Sequence, residues 1–153
     1  MNPSSTISPR WALHTVAQTP APKIGWLVVP TSDRPALLRR CLASYLGNAA
    51  RFERRLEVLV IDDSREESNR RRNRALVARI SRHGGAAITY AGPRERLALA
   101  RDLAQGTGVP AELIAWAVAG GHGGFSGGAV RNFALLWLAG LPQLHVDDDT
   151  VCE

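Results

Sequence analysis

The chain is poor in cysteine and in long apolar runs. Its 153 residues contain two cysteines, Cys41 and Cys152. Two are too few for a disulfide framework or a cysteine-based metal cluster. The apolar run from Leu113 to Ala119 is far shorter than the roughly 20 residues that a membrane-spanning helix needs. These absences exclude disulfide-rich and helical membrane proteins, and they make the cytoplasm the expected compartment.

Lysine and aromatic residues are also scarce. Lys23 is the only lysine, and aromatic residues make up 6% of a chain whose net charge is +5. The excess of arginine is explained by coding bias as well as by function, and no aromatic residues interleave with the arginines to stack on bases. We therefore expect no nucleic-acid partner, whereas nucleotides and other small anions remain compatible with the charge.

The first residues differ in composition from the rest. Met1 to Lys23 are rich in serine, threonine and proline and have no continuous apolar core, which predicts a flexible N-terminal arm and not a secretory signal. Residues 24–153 are enough for one domain with a sizeable core. A content of 45% hydrophobic and 22% charged residues is typical of a soluble globular protein.

Strand and helix patterns alternate along the chain. Apolar runs predict strands at residues 24–30, 56–61, 87–90 and 143–146. Helical periodicity predicts helices from Pro35 to Gly47–Asn48, from a Ser64 capping box to about Ser81, over 94–105, over 110–118, and along the stripe from Val130 to Leu138. This order predicts an α/β fold, with a Rossmann-like, mainly parallel sheet flanked by helices. The glycine-rich stretch at residues 120–128 is interpreted as a mobile loop near a ligand or as a linker.

Polar clusters follow three of the predicted strands. They comprise Thr31, Asp33 and Arg34 after the first strand, Asp62 and Asp63 after the second, and Asp147, Asp148 and Asp149 after the last. Because ligands bind beyond the carboxyl ends of parallel strands, we expect the three clusters to converge on one site.

The three consecutive aspartates need a compensating cation, because like charges side by side repel one another. Strand alternation would point Asp147 and Asp149 one way and Asp148 the other. Two convergent carboxylates suit Mg²⁺ or Mn²⁺ carrying a substrate's phosphates. A solvated acidic turn explains the three residues equally well when they are taken alone. Further along the fold, Arg131 and Asn132 are expected in the first turn of a helix, where amides and an arginine can meet an anion.

Together these segments resemble the nucleotide-sugar half of a GT-A fold glycosyltransferase of the family-2-like type. The matching pieces are VVPTSDRP at 28–35, VLVIDDS at 58–64, GAVRN at 128–132 and the DXD-like acids at 147–149. They occur in the family's order and span almost the whole chain after the arm.

The resemblance implies roles for individual residues. Thr31 would lie against the base, and Asp63 would accept a hydrogen bond from it, as a uracil-like ring offers. Arg131 would lie near the nucleotide, Asp147 near the ribose or the metal, and Asp149 would hold Mn²⁺ or Mg²⁺. The implied donor is a nucleoside-diphosphate sugar of the UDP type; the catalytic base, the donor sugar and the acceptor stay unassigned.

Two alternatives stay open. Since little chain follows Asp149, the acceptor half of such an enzyme would be missing. The chain would then be a truncated nucleotide-binding fragment, transferring no sugar efficiently and open to self-association. The acidic motif also fits a phosphatase of the HAD-like type, with Asp147 as nucleophile and Asp149 as acid. That motif normally opens its domain, whereas here it closes the chain.

Overall fold

The structure is a computed structural model that describes residues 23–83, 86–120 and 126–152. Almost all of the predicted arm, the middle of the glycine-rich stretch and Glu153 lie outside the described residues. The strands are β1 Trp26–Thr31, β2 Glu57–Asp62, β3 Ile88–Ala91 and β4 Gln143–His145. The helices are α1 Pro35–Arg51, α2 Glu67–His83, α3 Pro93–Thr107, α4 Ala111–Ala119 and α5 Gly127–Trp137.

The four strands form one parallel sheet in the order β3-β2-β1-β4. This arrangement confirms the predicted α/β class. Thr31 pairs with Asp62, so β1 and β2 end at the same level. The chain moves outward from β1 to β2 and β3, and then returns to place β4 on the other side of β1. The strand order therefore reverses between β1 and β4, which is where open α/β sheets form a ligand-binding crevice.

Alternate residues of the central strands pack into two separate hydrophobic cores, one on each face of the sheet. Leu27, Val29, Val58 and Val60 face α1 and α2, and they pack with Leu38, Cys41, Leu42, Leu76 and Val77. Val28, Leu59 and Ile61 face the opposite helices, and they pack with Ala100, Val118, Val130, Phe133 and Ala134. Burial on both faces explains why β1 and β2 are almost continuously apolar. Within the described residues, no helix is long and apolar enough to cross a membrane.

Helix α1 does not end at Gly47–Asn48 as predicted but continues to Arg51. Gly47 is not among the glycines with positive φ, so it does not form a left-handed helix end. A glycine inside a helix costs about 1 kcal/mol relative to alanine. Burial of Ala49 beyond it offsets that cost, and the chain turns only at Glu53, with φ of 51°.

Helix α2 begins at Glu67, so the predicted capping box at Ser64 is wrong. The Ser64 hydroxyl accepts a hydrogen bond from the Asp33 amide at 2.8 Å, and it is therefore engaged outside the helix. Asp33 in turn accepts hydrogen bonds from the amides of Arg65 and Glu66, at 3.0 and 3.1 Å. A carboxylate some thirty residues upstream thus satisfies amides just ahead of the helix.

Helix α5 begins at Gly127, so part of the glycine-rich stretch is helical. The Ser126 hydroxyl caps it by accepting a hydrogen bond from the Ala129 amide at 3.3 Å. Arg131 is consequently the fifth residue of the helix and not part of its first turn, which corrects the prediction.

Candidate functional site

The carboxyl ends of β2, β1 and β4 lie side by side and bring the three polar clusters together. The Asp63 amide donates to the Thr31 carbonyl at 2.8 Å. The Thr31 hydroxyl donates to Oδ2 of Asp148 at 2.6 Å. One end of the sheet therefore carries the polar residues that follow all three strands, as the parallel-sheet rule predicts.

The three aspartates lie in a turn after β4, and only the middle one is buried. Asp148 is fully buried, whereas Asp147 and Asp149 are exposed. β4 ends at His145, so the turn and not strand alternation separates Asp148 from its neighbours. Arg34 supplies a compensating cation: its Nη2 lies 2.9 Å from Oδ1 of Asp148, and its Nη1 lies 3.7 Å from Oδ2 of Asp149.

Asp148 is held by two partners of different kinds. Its Oδ2 accepts the short hydrogen bond from Thr31, while its Oδ1 is paired with Arg34 by charge, without hydrogen-bond alignment. Burial raises the pKa of this carboxyl, and the negative charges of Asp149 and Asp147 raise it further. The Thr31 hydrogen bond and the Arg34 charge lower the pKa, but the net shift is upward. Asp148 thus anchors the turn to β1 and leaves its two neighbours facing solvent.

Helix α1 provides further contacts to the acidic turn. Arg40 donates to the Asp149 carbonyl at 3.2 Å, and the Cys41 thiol donates to the Asp147 carbonyl at 3.7 Å. Burial raises the pKa of the Cys41 thiol to about 11, which keeps it protonated at neutral pH. Cys41 therefore acts as a weak donor within the core and not as a nucleophile.

Asp62 is fully buried, and its side chain is committed to internal hydrogen bonds. Its Oδ1 accepts from the Ser64 amide at 2.9 Å, and its Oδ2 accepts from Asn73 at 3.0 Å and from the Tyr90 hydroxyl at 2.8 Å. Burial and the neighbouring Asp62 raise the pKa of Tyr90. Although Asp62 was a candidate for nucleotide contact, its side chain connects β2 to α2 and β3.

Asp63 is engaged by a residue that the sequence interpretation missed. Arg96, in the first turn of α3, is 2% exposed and forms a close ion pair with Oδ1 of Asp63. Oδ2 of Asp63 accepts from the Ser126 amide at 3.0 Å, which ties β2 to the start of α5. Nε and Nη1 of Arg96 are buried without a hydrogen-bond partner among the described residues. The sequence indicates the burial of Arg96 only through its spacing. Arg96 lies four residues before Ala100, which is also buried, and therefore on the same face of α3.

Asp33 joins the loops that follow β1 and β2. It adopts a left-handed backbone conformation with φ of 55°, which aspartate tolerates better than most residues. Besides two backbone amides, its carboxylate accepts from the Asn69 side chain at 3.1 Å. Partial burial raises the pKa of Asp33, but the hydrogen bonds from Arg65, Asn69 and Glu66 outweigh it and lower the pKa overall.

Arg131 and Asn132 lie on α5 and point to different neighbours. Asn132 is exposed and donates to the Ala117 carbonyl at 3.1 Å, which links α5 to α4. Burial lowers the pKa of His145, and the positive charge of Arg131 lowers it further.

Two carboxylates at the site are available to a cation. The described residues contain no group of three or more histidine, cysteine, aspartate or glutamate side chains that could hold a metal ion. Mg²⁺ and related ions are commonly held by one or two carboxylates together with substrate phosphates and water. The exposed Asp147 and Asp149 fit a cation bound in that way, and they do not fit a dedicated protein cage.

A hollow elsewhere on the surface does not coincide with these residues. It measures about 670 Å³ and is lined by Leu56, Glu57 and Ala87, among others, at the amino ends of the strands.

Comparisons of the chain with protein-family models, with curated proteins and with solved structures found no match. We therefore infer function from the fold and from the geometry at the carboxyl ends of the strands.

Proposed function

We propose that this chain binds the nucleoside diphosphate of a nucleotide sugar at the carboxyl ends of β1, β2 and β4, and that it serves glycosyl transfer. The observation that carries the proposal is the meeting of three polar clusters where the strand order reverses. The ordered resemblance of four segments to GT-A glycosyltransferases supports the same choice of ligand.

The acidic turn would serve the diphosphate. Asp147 and Asp149 would hold Mn²⁺ or Mg²⁺, which neutralises a diphosphate leaving group as the glycosidic bond breaks. Arg34, whose side chain is 48% exposed, adds a positive charge beside them. Asp148 and Thr31 act as positioning residues, because their buried hydrogen bond fixes the turn relative to β1.

Two exposed carboxylates cannot satisfy a divalent cation alone, which couples metal binding to nucleotide binding. The remaining ligands would come from phosphate oxygens and water. By linkage, a nucleotide that strengthens the metal's binding is itself bound more tightly in the metal's presence, by the same factor.

Asp63 would serve the base, but its carboxylate is already engaged on both oxygens. A base N–H would be a second donor to an oxygen that already accepts from the Arg96 guanidinium or from the Ser126 amide.

Calorimetric titration with UDP, with and without Mn²⁺, tests the proposal. The wild type should bind UDP more tightly with Mn²⁺, and Asp149→Asn should lose most of that gain, since it removes one anionic ligand. Asp102→Asn, which removes an exposed carboxylate from α3, is the matched control and should bind like the wild type. Equal Mn²⁺-dependent binding by wild type and Asp149→Asn would show that the acidic turn is structural only.

A further inference from the structure

Positive charge is concentrated on one face of the sheet. Helices α1 and α2 together contain nine arginines and one glutamate, a formal charge of +8, which exceeds the +5 of the whole chain. The opposite helices, α3, α4 and α5, contain four arginines and three acidic residues. The remainder of the chain is therefore acidic on balance, and the basic charge belongs to the α1–α2 layer.

A groove between these two helices gathers four of the arginines. It has a volume of about 480 Å³, and we call it the arginine groove; its lining is Pro35, Arg39, Arg72, Ala75, Leu76, Arg79 and Arg82. The three arginines of α2 are separated by seven and three residues, which places them along one side of a helix with 3.6 residues per turn. Arg39 comes from α1. None of the described residues that line the groove carries a carboxylate.

Of the five other arginines of the two helices, three are held by neighbours within the fold. Arg40 donates to the acidic turn, Arg70 pairs with Glu67, and Arg74 pairs with Glu95.

By contrast, Arg39, Arg72 and Arg82 take part in none of the ion pairs found among the described residues. The positive charges of these three arginines raise the local potential and attract anions.

From these observations we infer that the arginine groove binds the phosphate backbone of double-stranded nucleic acid. Guanidinium groups are well suited to phosphate oxygens. Neither α1 nor α2 carries any of the exposed large hydrophobic residues of the described chain, so the groove has nothing to insert into a lipid bilayer. The exposed Leu113 and Trp116 lie on α4, across the sheet.

The same composition argues for a duplex over a single strand. Single-strand sites stack bases on aromatic side chains, whereas this groove is lined by arginine, alanine, leucine and proline. Binding through phosphates alone carries little sequence information. The sequence alone disfavoured a nucleic-acid partner because coding bias also explains the excess of arginine and because no aromatic residues interleave with the arginines. The structure adds Arg39 from the neighbouring helix, and the described lining of the groove contains no carboxylate.

Fluorescence anisotropy with a labelled DNA duplex, measured over a range of salt concentrations, tests the inference. The variant combines Arg39→Gln, Arg72→Gln and Arg82→Gln. Each phosphate contact contributes about 0.9 to the slope of log affinity against log salt. Removing three contacts should therefore reduce the magnitude of the slope by about 2 to 3 and weaken binding at least tenfold at low salt.

A matched control combines Arg55→Gln, Arg94→Gln and Arg101→Gln, three exposed arginines outside the groove. It changes the net charge equally and should keep a slope within about 1 of the wild type. Equal losses in both triple variants would show a general charge effect and overturn the assignment.

Two further results would also overturn it. One is the absence of duplex binding by the wild type. The other is binding to phosphatidylserine vesicles at a salt concentration where no duplex binds. Circular dichroism melting confirms that the variants are folded. Asp149→Asn should leave duplex binding unchanged, so the failure of the nucleotide proposal and the failure of this one are distinguishable.

Discussion

The hydrogen bond from Thr31 to Asp148 offers a quantitative test of how the acidic turn is held. Both residues are buried, at 2% and 0% exposure, and the oxygens are 2.6 Å apart. Thr31→Val keeps the shape of the side chain and removes the hydroxyl. Oδ2 of Asp148 would then have no donor among its described neighbours.

The expected loss follows from the charge and burial of the acceptor. Hydrogen bonds to charged groups contribute about 1.5–3 kcal/mol, and a buried acceptor left unpaired costs its desolvation. The Arg34 side chain is 48% exposed and meets only the other oxygen, so it compensates little. We expect Thr31→Val to lower the free energy of unfolding by about 2 kcal/mol, and Tm by roughly 4–8 °C for a domain of this size.

The effect should depend on pH in a definite direction. Because the pKa of Asp148 is raised in the folded state, its contribution to stability is greatest at low pH and declines as pH rises through the window between the unfolded and folded pKa values. The Thr31 hydrogen bond lowers that pKa, so its removal widens the window. The penalty of Thr31→Val should therefore be larger at neutral pH than at acidic pH.

Urea unfolding followed by tryptophan fluorescence, at neutral and acidic pH, measures both quantities. Thr150→Val is the matched control, because the Thr150 hydroxyl donates to the Asp147 carbonyl at 2.7 Å in an exposed position. It should change stability by no more than about 0.5 kcal/mol. Similar losses for the two variants, or a Thr31→Val penalty that grows on acidification, would refute the reasoning.

Two other predictions concern charged side chains at the ends of β1 and β2. Arg96→Met should destabilise the fold by about 3–5 kcal/mol, since it leaves the Asp63 carboxylate largely buried without its cation; adding Asp63→Asn should recover a good part of that loss in urea unfolding, and no recovery would argue against the pair. The pKa of Asp33 is lowered in the folded state, so this residue gives stability above its unfolded pKa that is lost as pH falls through its folded pKa. Asp33→Asn should therefore lose less stability than the wild type on acidification. Parallel pH profiles of stability for wild type and Asp33→Asn would contradict it.

Much of the fold could be predicted from the sequence, because both patterns that define it are local. The strands were found within a few residues, since buried parallel strands are short and continuously apolar. The predicted helix boundaries were wrong where a distant residue or side-chain packing determines where the helix begins or ends. Ser64 does not cap α2, because its hydroxyl accepts a hydrogen bond from the Asp33 amide. Helix α1 continues past Gly47 because Ala49, beyond it, is buried.

The convergence of the three polar clusters was predicted, while the contacts among them were not. The positions of Thr31 and the acidic turn follow from strand order and the carboxyl-end rule. The sequence also indicated that the three aspartates need a positive charge beside them. Arg34 supplies part of that charge from a loop more than a hundred residues earlier in the chain. Arg96 was missed because a buried arginine is uncommon and its partner lies on another element. Long-range pairs of this kind leave almost no signal in a single sequence.

The most direct test of the proposed site is nuclear magnetic resonance with UDP and Mn²⁺. The paramagnetic ion broadens amide signals near its binding position, and Mg²⁺ serves as the diamagnetic reference. We predict broadening at Asp147 to Thr150 and at Thr31 to Arg34 when UDP is present, with Ala78 to Arg82 unaffected at the far end of α2. Broadening centred on α2, or broadening at the acidic turn that is the same with and without UDP, would contradict a nucleotide-linked cation at the carboxyl ends of the strands.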